Sequence, residues 1–163
     1  MNSARKQIEI VVHLNNKPAS IAELMVIASA PRVEILASCF YCQREGAIVR
    51  LVTEDPQKTG RSLAGAGFLY QTDSVLLLGP HNRPGVAAQT AARLEAADIG
   101  IVYSYVSWAE RMGAFTVIKT TNDDRALQVL QVNAFVDGLL HANARSSRQP
   151  RAMDEPLVAK MVA

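Results

Sequence analysis

The sequence predicts an α+β protein made of two consecutive βαββαβ modules, each an antiparallel sheet with its helices on one face. Three observations lead there. The first is an internal repeat: Pro84 lies 66 positions after Pro18 (84 − 18 = 66), and the same shift carries Val33 and Ile35 onto Ile99 and Ile101 and Ser38 onto Ser104. After one extra loop residue, a shift of 67 places Gly46-Ala47 on Gly113-Ala114, Thr53 on Thr120, Lys58 on Arg125, Leu63 on Leu130 and Phe68 on Phe135. Two copies make a tandem duplication and not a solenoid. The second is that each copy runs strand, helix, strand, strand, helix, strand, which is the split βαβ or ferredoxin-like plan. The third is a proline turn at the same place in each copy, Asn16-Lys17-Pro18-Ala19 and Asn82-Arg83-Pro84-Gly85.

Taken in order, residues 1–7 read as a polar lead-in, and Ile8 to Leu14 alternates as a strand with Ile8, Ile10, Val12 and Leu14 on one side. After the first turn, Ile21, Leu24, Met25 and Ala28 have the spacing of an amphipathic helix, which Ala30-Pro31-Arg32 ends. Val33 to Cys42 is the second strand, Gln43-Arg44-Glu45-Gly46 a hairpin turn, and Ala47 to Thr53 the third strand. Glu54-Asp55-Pro56 opens a helix that stops near Ala66-Gly67. Phe68 to Gly79 is one extended run that ends the first module and begins the second, so the two should pack as one body with no spacer. The second module then gives a helix from Val86 to Ala97, a strand Ile99 to Val106, a turn at Ala109 to Gly113, a strand Ala114 to Thr120 and a helix from Asp123-Asp124 through Leu130. Phe135 to Leu140 reads either as a last strand or as more helix. The modules are assigned to residues 7–72 and 73–143, followed by a basic tail, 144–163, with a short helical end at Leu157 to Val162.

Composition narrows the function classes. In 163 residues, 49% hydrophobic and 20% charged with a net charge of +2, there is enough apolar material for packed cores and no charge excess that demands nucleic acid. No apolar stretch approaches the roughly 20 residues that span a bilayer, and the start has no signal-peptide character, so a soluble cytoplasmic protein is expected.

The turns carry the chemistry. Asparagine caps a helix well and proline suits its first position. A glycine just inside lets a ligand approach bare backbone, where N–H groups and the helix dipole favour an anion such as a carboxylate.

These turns, with Val75-Leu76-Leu77-Leu78-Gly79-Pro80-His81 before the second and Ala97-Asp98-Ile99-Gly100-Ile101-Val102-Tyr103-Ser104-Tyr105 after its helix, resemble the ACT-domain family. The resemblance covers about residues 7 to 136. It departs from the family pattern at Ala19, where glycine is usual, and at Glu34 and Gly100, where the second strand usually carries asparagine. It implies a module that holds a small amino acid at an interface between ACT units. The site residues carried over are Asn82, Arg83, Pro84 and Gly85 with Ile99 and Gly100 opposite, and in the first module Asn16, Lys17, Pro18 and Ala19. Backbone N–H groups would take the ligand carboxylate and the Asn82 side-chain oxygen its ammonium.

Other constellations are weaker. Cys39 and Cys42 have C-x-x-C spacing, but residues three apart on a strand point to opposite faces, and His13, His81 and His141 add no ligand pattern, so no metal is expected. Arg111 to Val117 faintly resembles an RNA-binding strand motif, yet the neighbouring strands lack the aromatic residues that bases need, so nucleic acid is not expected. Glu54-Asp55 and Asp123-Asp124 are explained by helix starts, and no nucleophile with a base is visible. Tyr103 and Tyr105 share a strand face and suit either a ligand pocket or an interface between modules, of which the interface is favoured. The sequence therefore predicts a non-catalytic, cofactor-free regulatory protein, a homodimer that binds a small amino acid and signals to a partner protein. The alternative is a ligand-free ACT-type subunit that binds a partner protein.

Overall fold

The computed structural model describes residues 4–15, 18–30, 32–43, 46–81, 85–109 and 113–131. Six strands and four helices follow the order β1 (Ala4–Asn15), α1 (Pro18–Ser29), β2 (Ile35–Gln43), β3 (Gly46–Thr53), α2 (Pro56–Gly65), β4 (Tyr70–His81), α3 (Val86–Ala96), β5 (Ile101–Ala109), β6 (Gly113–Thr120) and α4, helical from residue 123 to residue 131. The strands form one antiparallel sheet in the order β2-β3-β1-β4-β6-β5. The fold is the predicted α+β pair of ferredoxin-like modules.

The two modules share their central strands. β4 runs without a break through the predicted junction, and β1 pairs with it from Ala4↔Leu78 to Val12↔Tyr70. Strand β1 begins at Ala4, so the expectation of a polar lead-in over residues 1–7 is corrected for residues 4–7; residues 1–3 lie outside the described residues. Ala4 to Gln7 lie against Leu78 to Val75, while Leu76, Leu77 and Leu78 pair on their other side with Ile118, Val117 and Thr116. Both edges of that stretch of β4 are occupied. The expected last strand or continued helix falls at Phe135 to Leu140. Those residues and the tail 144–163 lie outside the described residues.

Alternation along the strands divides the core. Ile10, Val12, Val49 and Leu51 face Leu24 and Ala28 of α1 and Leu63 of α2. Leu76, Leu78 and Ile118 face Leu94 of α3 and Ala126 and Leu130 of α4. Burial of such a set is the main favourable term in forming each layer. The intervening residues Val52, Val75, Leu77, Phe115 and Val117 point the other way and are at most 1% exposed, although among the described residues no helix packs on them. They are buried because the sheet curls over on itself. Its two edge strands, β2 and β5, come together, and the Ser38 N–H donates to the Ser107 hydroxyl at 3.3 Å. The face opposite the helices is the lining of a third core.

Capping differs among the helices. The Asp55 carboxylate accepts from the Lys58 N–H at 2.9 Å at the start of α2, and the Asn122 side chain accepts from the Arg125 N–H at 3.1 Å at the start of α4. Helix α3 has no side-chain cap among the described residues; its N-cap is Gly85 in the left-handed region, φ 82°. Among the described residues, no helix is long and apolar enough to cross a membrane.

Candidate functional site

The second turn is built by glycines. Gly79 has φ 133°, and a Cβ there would sit 2.8 Å from the Ala114 carbonyl oxygen, so a side chain is excluded on two grounds. The peptide bond from Gly79 to Pro80 is cis. Asn82, Arg83 and Pro84 lie outside the described residues, and Gly85 then leads into α3, its carbonyl accepting from the Gln89 N–H at 2.9 Å. The space above Gly85 is open: an added Cβ would meet nothing within 4 Å.

In the first turn, Asn16 and Lys17 lie outside the described residues. The backbone of Pro18 and Ala19 already belongs to α1, which starts at Pro18 as a first-position proline should. The repeat aligns Ala19 with Gly85, and the helices therefore start at different points. Glycine takes the left-handed conformation readily, whereas alanine does so at a cost and stays helical here. Beside this turn, a cleft of about 220 Å³ is lined by His13, Leu14, Gln43, Gly46, Ala47 and Ile48 at the mouth of the β2–β3 hairpin.

Ile99 and Gly100 lie at the far end of α3 from Gly85. Eleven helical residues separate the two ends, roughly 16 Å at the α-helical rise. Ile99 is 5% exposed in the core under α3 and α4. The Gly100 N–H donates to the Thr121 hydroxyl at 3.1 Å, and its carbonyl accepts from the Thr121 N–H at 2.9 Å. Within one chain, Gly85 therefore does not meet Ile99 and Gly100. The two turns are likewise apart, because β1 and β4 are antiparallel and carry them to opposite ends of the sheet.

The feature that sequence reasoning missed lies on the inner face. Glu9 of β1 is fully buried, and its Oε2 accepts from Arg50 Nη1 at 2.6 Å and from the Tyr103 hydroxyl at 2.7 Å. Its Oε1 accepts from the Tyr105 hydroxyl at 2.9 Å. Arg50 lies 4.1 Å over the Tyr103 ring and donates to the Tyr41 hydroxyl at 3.3 Å. Burial, then the hydrogen bond to Glu9 and its charge, push the Tyr103 phenol far above the ordinary tyrosine range. Burial and the charge of Glu9 do the same to Tyr105. The predicted pairing of Tyr103 with Tyr105 at an interface is correct, and that interface is the seam between the modules. The signal for their partners was a single Glu within Ile8 to Leu14 and a single Arg within Ala47 to Thr53, each among apolar neighbours.

Cys39 and Cys42 are free, one half-buried beside Arg50 and the other exposed, opposite Ala47. Burial raises the Cys39 thiol above its ordinary value. Phe115 is 1% exposed in the inner core and presents no face to a base.

A family model described as an ACT domain pair matches residues 5–139. The chain belongs to the ACT domain family. It finds no match among curated proteins, and it is similar in fold to several solved structures. Protein BT0572 from Bacteroides thetaiotaomicron is 24% identical, with a TM-score of 0.70, over 80% of this chain and 90% of that one. The ligand-free regulatory subunit of aspartate kinase from Thermus thermophilus is 11% identical, with a TM-score of 0.53, over 80% and 95%. The aspartokinase alpha and beta subunits match at 19% identity and a TM-score of 0.50 over 78% and 94%. At these identities the likeness is one of fold. ACT pairs are regulatory modules, and that is the class in which this chain falls.

Proposed function

We propose that this ACT pair is a non-catalytic cytoplasmic regulator that binds a small amino acid and signals to a partner protein, with no cofactor. The observation that carries the reading is the turn at the end of β4, where left-handed Gly85 opens an α3 that no side chain caps among the described residues. Backbone N–H groups there suit a carboxylate, and the ACT resemblance adds Asn82, Arg83 and Pro84 to the site. Ile99 and Gly100 lie a helix length away within the chain, so a site using both ends needs a second unit across a seam, and a homodimer supplies it. The first-module turn, with Asn16, Lys17, Pro18 and a helical Ala19, has a different backbone and is the weaker site. Capture at the seam would favour one arrangement of the units and so change affinity for the partner.

A ligand-free interaction subunit is the second reading, and one observation favours it. Phe40 on β2 and Val102, Val106 and Trp108 on β5 are each at least 59% exposed, which suits a protein partner.

A thermal-shift screen against the twenty amino acids tests both readings. The expected result is a rise in Tm with one of them, absent in Gly85→Trp, whose melting without ligand controls for backbone strain. No rise with any amino acid rejects the sensor and favours the ligand-free subunit.

A further inference from the structure

The edges that meet at the seam, β2 and β5, stand at opposite ends of the strand order, so among the described residues no backbone ladder joins them. Closure therefore rests on side chains. Apolar residues of the inner core contribute, but they are non-directional and tolerate sliding. The Glu9 carboxylate is different. It is fully buried, it sits on the central strand β1, and two of its three donors, Tyr103 and Tyr105, come from the edge strand β5 of the other module. Its third donor, Arg50 on β3, also bonds Tyr41 on β2. One carboxylate thus ties both edges to the middle of the sheet, and every buried side-chain polar atom among the described residues has a partner. Moving β5 away would strand a buried charge beside one of its three donors, an outcome with a steep penalty.

We propose that Glu9 is the clasp of a joint between the two modules, holding β5 closed over β2, and that its release lets β5 and β2 part while β1, β3, β4 and β6 stay folded. This stands whether or not an amino acid binds at the turns.

Hydrogen exchange read by mass spectrometry on the full chain tests it, comparing the wild type with Tyr103→Phe/Tyr105→Phe, which keeps both rings and removes both hydroxyls. The expected result is exchange faster by on the order of tenfold or more in residues 35–43 and 101–109, with 8–12 and 75–78 unchanged. A disulfide from Ser38→Cys/Ser107→Cys, made with Cys39→Ser and Cys42→Ser, should restore protection to the edges. Unchanged exchange at the edges overturns the clasp, as does a uniform rise over all strands, which would make the network a general stabiliser. Tyr105→Phe alone gives the same comparison if the double variant fails to fold.

Discussion

Ile8 and Ser74 face each other directly in the β1–β4 ladder, and they are 66 positions apart, the interval that separates Pro18 from Pro84. Equivalent residues of the two copies are therefore neighbours, and an approximate twofold axis passes between them. About that axis each copy's first strand serves as the other's fourth. This is how two four-stranded plans fit in a sheet of six strands.

Removal of residues 1–7 takes Ala4 to Gln7 away from Val75 to Leu78 and uncovers one edge of β4. At about 1 kcal/mol for each net hydrogen bond, the truncated chain should lose ~2–4 kcal/mol. Urea denaturation of the two forms checks this; an unchanged midpoint would show that the ladder at Ala4 to Gln7 adds nothing.

Glu9 and Arg50 should be strongly coupled. Glu9→Leu leaves Arg50 with its main partner gone, and Arg50→Met leaves the buried carboxylate with only phenols; each should cost about 3–5 kcal/mol. The double variant should cost much less than the sum, because it removes both charges together. A double-mutant cycle by denaturant titration measures the coupling, and additive losses would contradict it.

Gly85→Ala should cost about 1–2 kcal/mol, from the left-handed backbone alone, since the space around it is open. Gly79→Ala should cost more, because strain is joined by a contact with the Ala114 carbonyl. Ala19→Gly, inside α1, should cost roughly 0.5–1 kcal/mol for a different reason, the entropy of glycine in a helix. Thermal melts of the three variants would rank them.

Acid should weaken the start of α4. Burial alone would raise the pKa of Asp123, but the Thr120 hydroxyl at 2.7 Å, the Thr120 N–H at 3.0 Å and the Lys119 ammonium at 3.1 Å outweigh it and hold the carboxylate below its ordinary value. A carboxylate whose folded pKa lies below its unfolded one adds stability above the unfolded value, near pH 4, and loses it as pH falls through the folded value. Stability of Asp123→Asn should thus fall less steeply than that of the wild type below about pH 4. Parallel curves would remove Asp123 from the account.

Alkali should act through Tyr103 and Tyr105, which burial and Glu9 keep protonated. Their folded pKa values are raised, so their contribution is complete below the unfolded value near 10 and is lost as pH rises above it. Of the protein's four tyrosines, these two should ionise only as the chain unfolds. Phenolate absorbance followed beside circular dichroism tests it, and full ionisation of a folded protein would refute it.

The strands and helices were legible because their signals are local. Alternation from Ile8 to Leu14, helical spacing from Ile21 to Ala28, and the turn at Gln43 to Gly46 each act within a few residues. What was hidden depends on contacts across the whole chain. Ala4 to Gln7 look polar and loose until Val75 to Leu78 are brought beside them, and Glu9 reads as a solvent-facing residue until the sheet curls. The second turn was legible in its glycines, yet nothing local separates Ile99 and Gly100 from it except the length of α3.

The shared strands also set an order of events during synthesis. Of the six strands β1 is made first, and β3 can pair with one of its edges. The other edge lacks its partner until Tyr70 to Leu78 have been made, some sixty residues later, which at a typical ribosomal rate of about 5–20 residues per second is several seconds. During that interval the first copy is missing a strand, and the second cannot close without the first. The nascent chain thus has no finished half to set aside, and both copies should reach the native state in one late, cooperative step.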